Sequence, residues 1–507
     1  MRLPLKIAGI DIGSNAIRYL SVVFESSSAY RVIESERYSV RLAHDVFISG
    51  AMEESAMEKA VESLSDAAAR MERDSIAHYR CVATSAVREA RNAKSLIDAI
   101  RREAGIEVQV ISGSEEARLV HLAVRRRIDL GAGQWLLVDL GGGSVEVSLC
   151  DAGGVIWSES HTMGAIRLLE ELSLSSEDPG RFNRLLAEYV STLRIPSAAR
   201  YKKPSGMVAT GGNIEALADL TGAVVREGGV RVIRTTALRA MIKSLWGMSF
   251  RERVEKYELR PDRADVILPA AVVYERVARV TGAREILVPC VGVKEGIVFD
   301  IADELISERG HRTNVEGAVL SSAINLGRKY LFDEAHGVHV MRLALSLFDQ
   351  TAALHGFGHR ERKVLMAAAL LHDIGSFISF KRHHKHTLYL LSQSELPGFT
   401  DEEMLVVANV ARYHRKSPPR ERHEYYMKLA PRERDMVMKL AAVLRIADAL
   451  DREHNQGVGG LSVERRGAAV TIRYQGKGDL ALVNWALRKN RRMFEDAFRV
   501  TVVLHAP

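Results

Sequence analysis

Cysteine is scarce in this 507-residue chain. Cys81, Cys150 and Cys290 are few, odd in number and widely separated, which speaks against a disulfide framework and suits a reducing cytoplasm. No apolar run reaches membrane-spanning length. The opening Met1-Arg-Leu-Pro-Leu-Lys6 leads straight into a strand pattern without a signal-peptide core, so neither a membrane span nor secretion is expected. No G-x-x-x-x-G-K-[ST] occurs, which excludes a Walker loop, and no long disordered tract is present. Positive charge is in excess: a formal +7 and a pI near 9.2 suit a polyanionic partner. They leave nucleic acid, polyphosphate, nucleotides, an anionic membrane surface and plain solubility all open.

Two segments carry the same strand–loop–strand signal. The first runs Ile7-Ala-Gly-Ile-Asp11-Ile-Gly13-Ser14-Asn15 and continues into the apolar stretch 16–24. The second runs Leu136-Leu-Val-Asp139-Leu-Gly141-Gly142-Gly143-Ser144 and continues into Val145-Glu146-Val147-Ser148-Leu149. One such loop is only a tight turn. Two with matching Asp positions present backbone N–H groups beside a carboxylate, as a site for phosphate and a divalent cation requires. A dinucleotide fingerprint would need a helix after the glycines; the period-two alternation at 145–149 predicts a strand instead. Thr210-Gly211-Gly212-Asn213 precedes a helix, and its N–H groups can take a further phosphate or form a plain strand-to-helix turn.

Residues 1–130 alternate strands (5–24, 30–40, 79–84, 107–112) with helices (55–73, 85–104, 115–127). The pattern restarts at Trp135 after the glycine hinge 131–133 and runs through a strand at 207–209, a helix at 214–220, a strand at 285–289 and a turn at 292–296. Such alternation in two similar blocks predicts an α/β protein with a duplicated core. From about residue 315 the period becomes 3.6, with helices expected at 318–331, 336–355, 361–372, 386–394, 401–414 and 432–451. Strands at 461–465, 470–474 and 498–505 and a helix at 480–494 form a small α+β cap. The expected domains are therefore 1–130, 131–308, 309–456 and 457–507.

Between the two loops lies Ile111-Ser112-Gly-Ser-Glu115-Glu116-Ala-Arg118. Ser112 and Glu115 have capping-box spacing, which leaves Glu116 free to orient and deprotonate a water. Arg88, just inside a helix after Thr84, can grip phosphate oxygens in a bidentate manner or remain an ordinary surface arginine.

The set Asp11–Asn15, Ala83–Arg88, Ile111–Arg118 and Asp139–Glu146 resembles the exopolyphosphatase/guanosine pentaphosphate phosphohydrolase (Ppx/GppA) family. The likeness continues through Ala209–Asn213, Arg263–Ala270 and Gly292–Gly296. It implies the duplicated actin-like, RNase H-type (ASKHA) fold and Mg²⁺- or Mn²⁺-dependent removal of terminal phosphate from polyphosphate or from the 5′ end of pppGpp. By the same resemblance Glu116 is the catalytic base, Arg88 binds phosphate, and Asp139 and Glu146 lie near the metal and the attacking water. Asp11, Gly13, Ser14, Asn15 and Gly141 to Ser144 form the phosphate loops, with Gly211 and Gly212 in the third. Asn213 departs from the pattern, which has Thr or Ser there more often.

In the helical block, the order and spacing of His336, His372-Asp373 and Asp448 resemble the HD superfamily, which implies a second divalent metal there. His383, His384 and His386 read as a solvated polar loop or, with Arg382, Arg412, Arg415 and Lys416, as a polyphosphate track. The leading expectation is a processive exopolyphosphatase, with a pppGpp 5′-phosphohydrolase or a polyphosphate- or alarmone-binding regulator as alternatives and an actin-like kinase or ATPase as the rival class. A cytoplasmic homodimer without specific nucleic-acid binding completes the reading.

Overall fold

The computed structural model describes residues 3–26, 29–44, 46–173, 179–195, 204–306, 310–476 and 480–505. The chain forms two compact units, Met1–Val315 and Glu316–Pro507. The division falls within the helix Gly310–Lys329, and the boundary expected at 308/309 lies outside the described residues. Among the described residues, no helix is long and apolar enough to cross a membrane.

The first unit holds two sheets. One contains β1 (Leu5–Ile12), β2 (Ile17–Phe24), β3 (Tyr30–Tyr38), β4 (His78–Ala83) and β5 (Val108–Val110) in the order β3-β2-β1-β4-β5. The other contains β6 (Trp135–Leu140), β7 (Val145–Cys150), β8 (Val155–His161), β9 (Gly206–Thr210), β10 (Val224–Val225), β11 (Arg231–Arg234) and β12 (Glu285–Val288) in the order β10-β11-β12-β9-β6-β7-β8. Strands β8, β7, β6, β9 and β12 repeat the order of the first sheet, with β10 and β11 added at its edge. In each half a hairpin leads and its first strand pairs in parallel with the strand after the crossover. This is the duplicated actin-like core. Central strands are buried on both faces, β1 at all but Lys6 and β7 throughout, as covered sheets require.

The halves exchange a helix. Gly113–Arg127 lies on β7 and β8, while Val293–Ile306 lies on β1 and β2. The two helices cross closely at Gly296, where a Cβ would stand 2.1 Å from the Leu119 carbonyl oxygen. Arg118 bonds Glu115 and Asp300 at 2.8–2.9 Å across this crossing. The exchange brings Glu116, from the first half of the chain, against the second sheet.

The helix expected over 85–104 is two helices, Ser85–Glu89 and Ala93–Ala104. Asn92 breaks it because its amide both accepts from and donates to the Met52 backbone at 2.9 Å, a local alternative to helical pairing. Helices Ala165–Ser173, Pro179–Ser191, Thr235–Trp246 and Ile267–Thr281 belong to the second half and lay between the motifs that organised the sequence reading.

The second unit carries helices Glu334–Gln350, His359–Leu371, His383–Ser392, Asp401–Arg412 and Pro431–Leu450. A three-stranded sheet follows, β13 (Val458–Arg466), β14 (Ala469–Gly476) and β15 (Thr501–His505), with the helix Ala481–Phe498 between its last two strands.

Candidate functional site

The two glycine loops are the β1–β2 and β6–β7 turns, and they close in the same way. Gly13 N–H donates to the Ala16 carbonyl at 3.1 Å and Gly141 N–H to the Ser144 carbonyl at 3.0 Å. The loops also meet: a Cβ on Gly142 would lie 2.7 Å from the Ser14 Cβ. Ser14 Oγ is 3.0 Å from Ser85 Oγ. The third loop follows β9. Gly211 has φ +99°, and a Cβ there would lie 2.7 Å from the Leu140 carbonyl oxygen. Beside it Arg263 donates to Asn213 Oδ1, so the residue that departs from the family pattern holds a buried guanidinium with its amide oxygen.

These loops line a cleft of about 310 Å³. Gly13, Ser14, Asn15, Gly141, Gly142, Gly211 and Gly212 form its wall together with Asp11, Glu116 and Asp139. Gly143, Ser144, Glu146 and Arg88 are not on that wall. Gly143 is packed under Phe47 and Ser85. Arg88 is tied to the Ile111 carbonyl at 2.7 Å, from where its charge favours ionisation of Glu116 and Glu146. Four cations that the motif reading passed over, Arg18, Arg37, Arg263 and Lys294, do face the cleft. Arg18 was traceable as the cross-strand neighbour of Asp11 and Arg263 as part of a recognised stretch. Lys294 likewise lies in a recognised stretch, Gly292–Gly296, and Arg37 alone of the four carries no local signal.

Glu116, Asp139 and Glu146 converge, with one oxygen of each within 4.8 Å of the others. Asp139 Oδ1 accepts from Thr210 Oγ1 at 2.6 Å and Glu146 Oε1 from Ser160 Oγ at 2.8 Å. The remaining Oε2 atoms of Glu116 and Glu146 are buried without a hydrogen-bond partner. Burial, and then the neighbouring carboxylates, hold the Glu116 carboxyl well above its usual range. Burial pushes Glu146 up to about 7 and also raises Asp139. Buried, unpartnered carboxylate oxygens facing one point are a donor set for a hard divalent cation, so these residues fit one. Ser112 caps the helix by accepting from Glu115 N–H at 3.3 Å. The Glu115 carboxylate is bound to Arg118, which leaves Glu116 as the acid aimed at the site.

In the second unit His336, His372 and Asp448 also converge, within 4.8 Å. Asp373 Oδ1 lies 3.8 Å from His372 Nε2. The solvated-loop reading of 383–386 is corrected. His383 and His384 open the helix His383–Ser392 and are buried; Thr387 on that helix holds it to the preceding turn, donating to the His372 carbonyl at 2.9 Å and accepting from Gly375 N–H at 3.0 Å.

The family model described as "Ppx/GppA phosphatase family" matches residues 21–305, and "Ppx/GppA phosphatase, domain III" matches 320–473. A guanosine-5′-triphosphate,3′-diphosphate pyrophosphatase of Vibrio vulnificus is 26% identical over 412 residues, covering 81% of this chain and 80% of its own. An exopolyphosphatase-like protein of known structure is 26% identical, with a TM-score of 0.53 over 60% of this chain and 99% of its own. A Cytophaga hutchinsonii exopolyphosphatase shares the fold at 24% identity, with a TM-score of 0.55 over 59% of this chain and 98% of its own. Matched across its duplicated core and again across its helical unit, the chain belongs to the Ppx/GppA phosphatase family.

Proposed function

We propose that the cleft removes the terminal phosphate from inorganic polyphosphate by attack of water, processively and with Mg²⁺ or Mn²⁺. The supporting observation is the buried trio Glu116, Asp139 and Glu146, with two unpartnered oxygens, beside three glycine-lined loops. Asp139 and Glu146 would hold the cation, which when bound supplies positive charge to phosphate oxygens. Backbone N–H groups of Ser14, Asn15 and Gly142, with Arg18, Arg263 and Lys294, offset the charge of the phosphate chain. Glu116 orients the water and accepts its proton, for which a raised pKa suits a base working near neutrality. The water oxygen bonds to the terminal phosphorus as the bridging P–O bond opposite it breaks.

A second reading, 5′-phosphate removal from pppGpp, is favoured by the Vibrio vulnificus relative, whose match extends over 81% of this chain. The bond broken is of the same kind, so one site serves both. The helical unit enters this proposal as the holder of a further divalent ion on His336, His372, Asp373 and Asp448, and the assembly as a homodimer.

Phosphate release with Mg²⁺ from long polyphosphate, pppGpp and ATP tests the reading. Release from polyphosphate well above that from the other two supports the first reading, and preference for pppGpp supports the second. Preference for ATP would overturn both in favour of an actin-like ATPase.

A further inference from the structure

Exposed apolar side chains are ordinary on a folded surface when they are scattered singly. In the second unit they are gathered. Phe377, Ile378 and Phe380 stand almost side by side in the turn and loop before the helix His383–Ser392, and are 53%, 48% and 77% exposed. The Phe377 ring lies 5.7 Å from that of Tyr330, whose neighbour Leu331 is 74% exposed, so a second segment joins the patch. On the helix, Lys385 and Tyr389 share the outward face one turn apart, while His383, His384, Thr387, Leu388 and Leu391 are buried.

The loop is pinned in this outward position. At its base Gly375 packs so closely that a Cβ there would lie 2.2 Å from the His383 carbonyl oxygen and 2.3 Å from Thr387 N. Ser376 Oγ donates to the Asp373 carbonyl at 2.7 Å, and Ser379 Oγ accepts from Lys381 N–H at 3.2 Å. The aromatic rings are thus presented before any partner arrives, which lowers the entropy cost of burying them.

The charge around the rings is of one sign. No acidic residue occurs between Asp373 and Glu395, a stretch that holds Lys381, Arg382 and Lys385. All three are exposed, and none has an ion-pair partner among the described residues. Arg412 and Arg415 lie close enough to act, with Lys385, on the charge of His384. On the other flank Lys329 Nζ is 5.8 Å from the centre of the Tyr330 ring. An apolar tip ringed by free cations distinguishes between partners. Protein interfaces are depleted of lysine. At a bilayer surface, apolar rings enter the acyl boundary while Lys and Arg stay at the headgroup phosphates.

We propose that Phe377, Ile378 and Phe380 insert into the surface of an anionic lipid bilayer while Lys381, Arg382 and Lys385 bind its headgroup phosphates. This is peripheral docking, which needs no membrane-spanning helix, and it gives part of the chain's positive excess a polyanionic partner outside the catalytic cleft.

The full chain is pelleted with vesicles of phosphatidylcholine containing one third phosphatidylglycerol, and with phosphatidylcholine alone. It should pellet with the anionic vesicles only, and added salt should release it. Phe377→Ser/Phe380→Ser should weaken partitioning by roughly tenfold or more and leave phosphate release from soluble polyphosphate unchanged. Lys381→Gln/Arg382→Gln/Lys385→Gln should weaken partitioning roughly 100-fold. Emission of Phe380→Trp, read against the parent, should shift to the blue on anionic vesicles and be quenched by brominated acyl chains. Failure to pellet with anionic vesicles overturns the proposal, as does pelleting that the phenylalanine variant leaves unchanged. A parent that is dimeric without lipid, beside a monomeric phenylalanine variant, would assign the patch to a second copy of the chain and overturn it as well.

Discussion

Asp139 and Glu146 stand opposite each other across the β6–β7 hairpin, at the register where Asp11 meets Arg18 across the β1–β2 hairpin. Cross-strand partners share a face and interact directly. The first half therefore neutralises its aspartate with an ion pair at 3.0 Å. The second half sets acid against acid, and Glu116 joins them from the exchanged helix. The two hairpins thus share a scaffold and differ at this position in the partner each gives its aspartate.

That pair should make stability depend on pH and on added Mg²⁺. The Glu146 carboxyl rises from 4.5 to about 7 on folding, so the folded chain binds more protons between those values. Its contribution is full below pH 4.5 and is lost as pH rises through about 7, which amounts to roughly 3 kcal/mol. The metal-free protein should lose Tm over that window relative to Glu146→Gln. The Tm gain on adding Mg²⁺ should grow with pH in the native chain and shrink in the variant. Thermal melts from pH 5 to 8 with and without Mg²⁺ measure both.

Glu116→Gln keeps the side chain's shape and removes its ability to accept a proton. Turnover should drop roughly 100- to 10,000-fold, while substrate binding is retained. Single-turnover phosphate release alongside equilibrium binding separates the two effects, and near-normal turnover would contradict the assigned role.

Gly211→Ala meets two obstacles together, a φ of +99° and the Leu140 carbonyl oxygen 2.7 Å from the new Cβ. It should cost about 2–3 kcal/mol. Gly105→Ala, at φ +66° with open space around it, should cost only about 1 kcal/mol. Denaturant unfolding of the two variants gives the comparison.

Arg167 binds both Glu89 oxygens at 2.6–2.7 Å, donates to the Gly143 carbonyl at 2.8 Å and stacks 3.9 Å from the Phe47 ring centre. It holds the second glycine loop in place without lining the cleft. A lysine reproduces the charge but not the planar fork, so Arg167→Lys should lower kcat/KM about tenfold, whereas a purely electrostatic role would leave it unchanged. Steady-state kinetics on the preferred substrate distinguish them.

What the sequence settled is local in origin. A glycine turn after an aspartate, a strand marked by period-two alternation and a capping serine at 112 are each written within a few residues. Repeated in order, they disclose both the duplicated core and its loops. The break at Asn92 was hidden because its cause, the Met52 backbone, lies 40 residues away. The histidines at 383 and 384 looked like a polar loop because polarity alone does not reveal burial. Only the tertiary structure decided how Glu116 reaches Asp139 and Glu146, through a helix exchanged between halves, and which histidines face one another, through helices brought together from distant parts of the chain. Those arrangements depend on packing between segments far apart in the chain, and such packing leaves no periodic trace in the sequence.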